Sequence, residues 1–149
     1  MRNRIRHELI PFLEERFEPG IKKSLRKAAQ NLAEDEKLLE ELMRTACASV
    51  LVRLEPESEG VPEKLLVDRK KFVQQPGAIQ RRIIEHLLWH FGSKAHYTHI
   101  MQVVKGAASG RPGSEIHLSR GLRIGVQKDY LEFVYPEGKC AWRGRLYEK

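Results

Sequence analysis

From Ile21 to about Leu54 the chain contains neither glycine nor proline, and Leu25, Ala28, Leu32, Leu39, Met43, Ala46 and Val50 keep one helical face apolar along it. That pattern predicts a single long helix, and the rest of the sequence has to be arranged about its two ends. Ahead of it, Ile5, Leu9, Phe12, Leu13 and Phe17 recur at three- and four-residue spacing, which predicts a first helix over Arg2–Phe17 with a buried stripe. Pro11 inside it reads as a kink or a restart, because its ring removes an N–H and crowds the preceding turn. Glu18-Pro19-Gly20 then turns the chain. The expectation for residues 1–54 is a long helical hairpin.

Glu55–Glu63 (EPESEGVPE) is acidic and punctuated by proline and glycine, so it reads as a linker. Beyond it, Lys64–Asp68 is a short extended candidate, with Asp68 placed to cap a helical turn over Arg69–Val73. Gln74-Gln75-Pro76-Gly77 breaks the chain before a helix over Ala78–Phe91, carried by Ile79, Ile83 and Leu87 and closed by Gly92. A shorter helix follows over Thr98–Lys105, with Gly106 at its end. From Ser114 the period changes to two. Ile116 and Leu118 alternate, then Leu122, Ile124 and Val126, and Lys128-Asp129 reverses the chain into Tyr130–Tyr135. The expected fold is α+β and mainly α: the hairpin of residues 1–54, a linker at 55–63, and a small helical domain with a short antiparallel sheet over 64–149. The tail 136–149 reads equally as a further strand or a frayed end.

Charge narrows the function class. The net charge is +7, unevenly distributed: residues 1–27 carry eight basic and four acidic side chains, residues 28–68 four and ten, and residues 69–149 fifteen and six. Two basic ends flank an acidic middle, which favours a polyanionic partner at the ends. Cys47 and Cys140 are too few and too far apart for a disulfide scaffold or a zinc cluster, so a reduced cytoplasmic setting is expected. No apolar run approaches the roughly 20 residues that span a bilayer, and no secretory h-region is present.

The basic candidates fall in two blocks. Arg2, Arg4 and Arg6 with Asn3 and His7 precede the apolar residues of the first helix. Lys22, Lys23, Arg26 and Lys27 open the long helix, ahead of Glu34, Asp35, Glu36, Glu40 and Glu41. This order opposes the helix dipole, which favours acid first and base last and is worth a few tenths to about 1 kcal/mol per charge. Each block can be an ordinary solvated face, or an array of cations held toward phosphate. His86 and His90, one turn apart, could share a metal with His96 or His99, but no Cys, Asp or second short-spaced pair completes the set, so no metal is expected. Gly106–Gly113 (GAASGRPG) lacks the Gly-Lys-Ser/Thr ending of a phosphate loop and runs into a strand. It reads as a connection, with Arg111 a candidate phosphate contact. No nucleophile–base set or tuned carboxylate pair appears, so no catalytic residue and no cofactor are assigned to these residues.

The stretch RNRIRHELIPFLEERFEPGI, followed by a long helix containing LAEDEKLLEEL, resembles the region downstream of the catalytic domain in bacterial tRNA(Ile)-lysidine synthetases. Gln75–Ile84 is similar to a later family helix, and the blocks Thr98–Lys105, Ser109–Gly113 and Ile116–Gly121 arrive in the family's order. The resemblance covers roughly residues 2–135. It implies a parent enzyme that uses ATP, magnesium and L-lysine to convert the wobble cytidine of an isoleucine tRNA to lysidine. In that family a PP-loop domain with an SGGxDS signature does the chemistry. The signature is absent here, so the resemblance implies an inactive tRNA-binding piece, with Met1 not the natural start and a homodimer one possible state of association. The family pattern R-N-x-x-R-x-x-x-x-P falls on Arg2, Asn3, Arg6 and Pro11. It implies phosphate or nucleotide contact for Arg2 and Arg6 and hydrogen bonding for Asn3, with Arg4 and His7 in support. The alternative is a free-standing basic helical module, binding nucleic acid or protein without catalysis. An SGGxDS-containing domain upstream in the same reading frame separates the two.

Overall fold

A computed structural model of the chain describes residues 2–17, 19–55 and 64–135. The architecture is α+β and mainly α. A first turn, α1 (Arg2–Arg4), passes through a π-helical turn, Ile5–Leu9, into α2 (Ile10–Arg16), and α3 runs from Ile21 to Val50. The long helix therefore stops at Val50 rather than near Leu54. Leu51–Glu55 becomes strand β1, paired antiparallel with β2 (Lys64–Asp68) through Leu54↔Leu65 and Glu55↔Lys64. Two valines about Leu51 lose side-chain freedom in a helix and fit a pleated surface, so the backbone exchanges helical bonds for cross-strand bonds there. The linker predicted at 55–63 lies, apart from Glu55, outside the described residues, as does the tail 136–149.

The chain divides into two compact units, Met1–Glu41 and Leu42–Lys149. In the second, α4 (Arg69–Gln74), α5 (Gly77–His90) and α6 (Tyr97–Ser109) precede β3 (Ser114–His117), a 3-10 turn at Ser119–Gly121, β4 (Arg123–Val126) and β5 (Tyr130–Val134). The five strands form one antiparallel sheet in the order β1-β2-β5-β4-β3. Register explains its buried face. Leu65 lies opposite Phe133 and Val67 opposite Leu131, while Ile124 and Val126 meet the same two residues from the other side. All six are buried, as period-two alternation requires when helices cover one face. The helices supply Phe72, Ile79, Ile83, Ile84, Leu87, Leu88, Ile100 and Val103 to this core. Phe91 stacks on Phe133 at 6.0 Å between ring centres, and the Tyr135 hydroxyl donates to the Phe91 carbonyl at 2.8 Å.

Helix ends follow their local chemistry. The Asp68 carboxylate accepts from the Lys71 N–H at 2.8 Å and caps α4. At the end of α5, Gly92 has φ +59°, its N–H reaches the Trp89 carbonyl, and the Ser93 N–H reaches the Leu88 carbonyl. That pair of bonds is a Schellman closure. By contrast α6 continues through Gly106, where closure was expected, and is capped at Gly110. A Cβ on Gly106 would lie 2.5 Å from Ile116 Cδ1, so this glycine serves the approach of strand to helix. None of the described helices is long and apolar enough to cross a membrane.

Candidate nucleic-acid interface

In the first unit the local geometry begins with Pro11. It has no N–H to give the His7 carbonyl, and the preceding turn is widened by one residue, with the Ile10 N–H reaching the Ile5 carbonyl. Proline then stands in the first turn of α2, where no donor is needed, so the chain restarts its helix rather than kinking. Arg2 opens α1, and Asn3, Arg4, Arg6 and His7 are exposed around the turn. Arg4 Nε lies 3.4 Å from a Glu8 carboxylate oxygen, with both side chains mostly in solvent, so the pair is worth at most about 1 kcal/mol. The apolar stripe predicted to be buried is not. Ile5 is 44 %, Leu9 48 %, Phe12 50 % and Phe17 72 % exposed. Ile5, Leu9 and Phe12 line a shallow groove of about 500 Å³ with Arg4 and Glu8. The three- and four-residue spacing made a helix, but the described part of this unit offers no surface to cover the stripe.

The second block begins after Gly20, whose φ of +113° turns the chain and whose carbonyl takes the N–H groups of Lys23 and Ser24 at 2.8 and 3.2 Å. Lys22, Lys23 and Arg26 line an open hollow of about 660 Å³ with Glu14, Gly20 and Leu25. Lys27 is exposed on the next part of the turn. Chemically this is a set of exposed ammonium groups and one guanidinium around a shallow depression. It suits phosphate oxygens better than any reaction at a single atom.

The second unit holds the other candidates. Arg111 is exposed in the α6–β3 connection, while its carbonyl accepts from the Ser114 N–H at 3.0 Å and the Ser114 hydroxyl at 2.7 Å. His86 and His90 are exposed on α5, and His96 meets His99 edge to face at 5.5 Å. Among the described residues no three His, Cys, Asp or Glu side chains gather closely enough to hold a metal ion. Cys47 is 5 % exposed, and burial pushes its thiol up, which makes it a poor nucleophile.

Two features escaped the sequence reading. Trp89 and Tyr97 stand 61 % and 68 % exposed at the end of α5 and the start of α6, among His90, Lys94 and His96. Exposed rings beside a lysine and imidazoles can stack unpaired bases. The available signal was that Trp89 falls off the Ile79–Ile83–Leu87 stripe. The other is Arg69, part of a basic run in the sequence, whose guanidinium is bound to three backbone carbonyls.

No protein-family profile matches the chain. Individual relatives do. It is 35 % identical over 136 residues to the tRNA(Ile)-lysidine synthase of Symbiobacterium thermophilum, which takes in 89 % of this chain and 28 % of that protein. With the protein of the same name from Geobacillus kaustophilus it is 28 % identical over 154 residues, 99 % of this chain and 31 % of the other. With that of Geobacter sulfurreducens it is 50 % identical over 138 residues, 91 % and 27 %. The chain thus spans about a third of the length of the curated relatives it matches.

Proposed function

We propose that this chain, a relative of part of the tRNA(Ile)-lysidine synthases along nine-tenths of its own length, is a tRNA-binding segment of such an enzyme. The observation that carries the reading is the set of solvent-facing cations in the first unit of a chain with this kinship. Lys22, Lys23, Arg26 and Lys27 meet phosphates and fix the tRNA's position without reading bases. Arg2, Asn3 and Arg6, with Arg4 and His7 beside them, border the place where nucleotide and anticodon loop meet in the whole protein. Arg111 touches phosphate from the second unit.

The whole protein on this reading is an ATP-dependent ligase of the cytoplasm. It adenylates the wobble cytidine and lets the L-lysine amine displace AMP, with ATP and magnesium held by the domain that bears SGGxDS. The present residues contribute binding and orientation, and alone they are inactive. Four phosphate contacts from α3 imply that affinity for tRNA falls about 50- to 150-fold between 50 and 200 mM salt. Mobility shifts at the two salt concentrations measure it, and equal affinity would overturn the reading. In the full-length enzyme, Arg2→Ala with Arg6→Ala is expected to abolish lysine incorporation into tRNA while circular dichroism stays unchanged. Retained incorporation would remove the two arginines from the site.

A further inference from the structure

From His86 to Ser114 the sequence holds no aspartate or glutamate, while Lys94, Lys105, Arg111 and four histidines fall within it. The stretch contains the end of α5, the connection that follows and the whole of α6. At the two ends of that connection stand Trp89 and Tyr97, 61 % and 68 % exposed. Among the described residues neither ring meets another aromatic ring or a cation. The connection is held from beneath. Phe91 is fully buried against Phe133 and Tyr135, and the Gly92 and Ser93 N–H groups close α5 on the Trp89 and Leu88 carbonyls. Ser93 is buried too, its hydroxyl oxygen 3.4 Å from that of Ser119. His90, Lys94 and His96 are exposed between the two rings in sequence. The backbone is thus anchored while the rings are left in water.

Flat apolar area kept in solvent on a supported connection is binding surface, and the charge around it says what covers it. An apolar partner alone gives no reason to exclude carboxylates. A polyanion does, since each carboxylate would face phosphate. Unpaired nucleotides meet both needs: the base offers a flat face to a ring, and its phosphate offers charge to a lysine. Bases inside a duplex are already stacked on both faces. We infer that Trp89 and Tyr97 stack unpaired bases of an RNA and that Lys94 meets an adjoining phosphate. The inference rests on the tRNA reading above and adds a contact to bases, where the cations of α3 use the backbone only. Every base has a π face, so the connection selects single strands rather than a sequence.

Fluorescence anisotropy with short oligouridylate and with a tRNA transcript, each titrated with the intact chain, tests this. Trp89→Ala should weaken oligouridylate binding about 5- to 150-fold with its salt dependence kept, and Trp89→Phe should stay within about threefold of the unsubstituted chain. Tyr97→Ala should cost about fivefold or more. Lys94→Gln should instead lower the slope of log affinity against log salt by about 0.7. All three side chains are exposed, so circular dichroism of each variant should match that of the unsubstituted chain. In a Trp142→Phe background Trp89 is the sole tryptophan. Oligouridylate should quench its emission, and an abasic oligomer of equal charge should leave it unchanged. A transcript trimmed of its unpaired 3′ nucleotides separates the sources of the base: lost Trp89 dependence places it at that end, kept dependence in a loop. Salt-dependent RNA binding that ignores Trp89→Ala, or equal quenching by the abasic oligomer, would overturn this inference and leave the tRNA reading standing. Absence of RNA binding at any salt concentration would overturn both.

Discussion

Arg69 aims its guanidinium at carbonyl oxygens from two distant parts of the second unit. Nε donates to Ala107 at 2.7 Å, Nη2 to Gly110 at 2.8 Å and Nη1 to Gln127 at 2.9 Å, and its own N–H reaches the Asp129 carbonyl at 2.9 Å. The first two acceptors belong to the end of α6, where the helix dipole concentrates negative charge, so a cation is well placed there. Arg69→Ala should lower stability by about 2–4 kcal/mol in urea denaturation, since three part-buried carbonyls lose a charged donor. Arg69→Lys should recover less than half, because an ammonium cannot fork to three acceptors. The sequence hides this role: Arg69-Lys70-Lys71 looks like one solvated run, and the acceptors are remote along the chain. Cys47 is the complementary case of a buried side chain that stands beside the predicted Met43–Ala46–Val50 stripe and is not part of it. Burial holds the folded thiol's pKa above the unfolded one, so its contribution to stability is present at neutral pH and is lost as pH climbs through the folded value. Iodoacetamide labelling followed by peptide mapping should find Cys47 protected in native chain and modified in urea.

At the scale of elements, most helices and strands were legible because one period dominates each. The α5 stripe and the alternation through Leu122, Ile124 and Val126 marked parts of both layers of the core, while Leu65, Val67, Leu131 and Phe133 lie in segments that read only as extended. Gly92 was legible too, as a helix stop. Gly92→Ala should cost about 1–2 kcal/mol, the strain of a Cβ in the left-handed region, read as a lower melting temperature. What the local pattern could not show is competition from distant partners. Leu51–Glu55 continues a helical pattern until β2 offers it a ladder, and Gly106 looks like a stop until Ile116 is seen to need the space. At the candidate interface the cations and their exposure could be read residue by residue. The π-helical turn that presents Arg6 and His7 could not, because it depends on how the backbone accommodates Pro11.

For the whole molecule, the strand order matters more than the number of strands. The last described strand, β5, lies between β2 and β4 and holds together two antiparallel pairs, β1–β2 and β3–β4, that touch nowhere else in the sheet. A chain ending at Gln127 should therefore lose the cooperative thermal transition of the second unit, since isolated two-stranded pairs are marginal in water. Calorimetry of the truncated chain checks it; a sharp transition near that of the intact chain would show that the helices alone suffice. The same order has a consequence during synthesis. A ribosome delivers β1 and β2 early, but the place between β2 and β4 stays vacant until Tyr130–Val134 has left the exit tunnel. The second unit must then assemble in one late step, and until that moment Leu65 and Val67 are nascent, sticky surface within reach of chaperones.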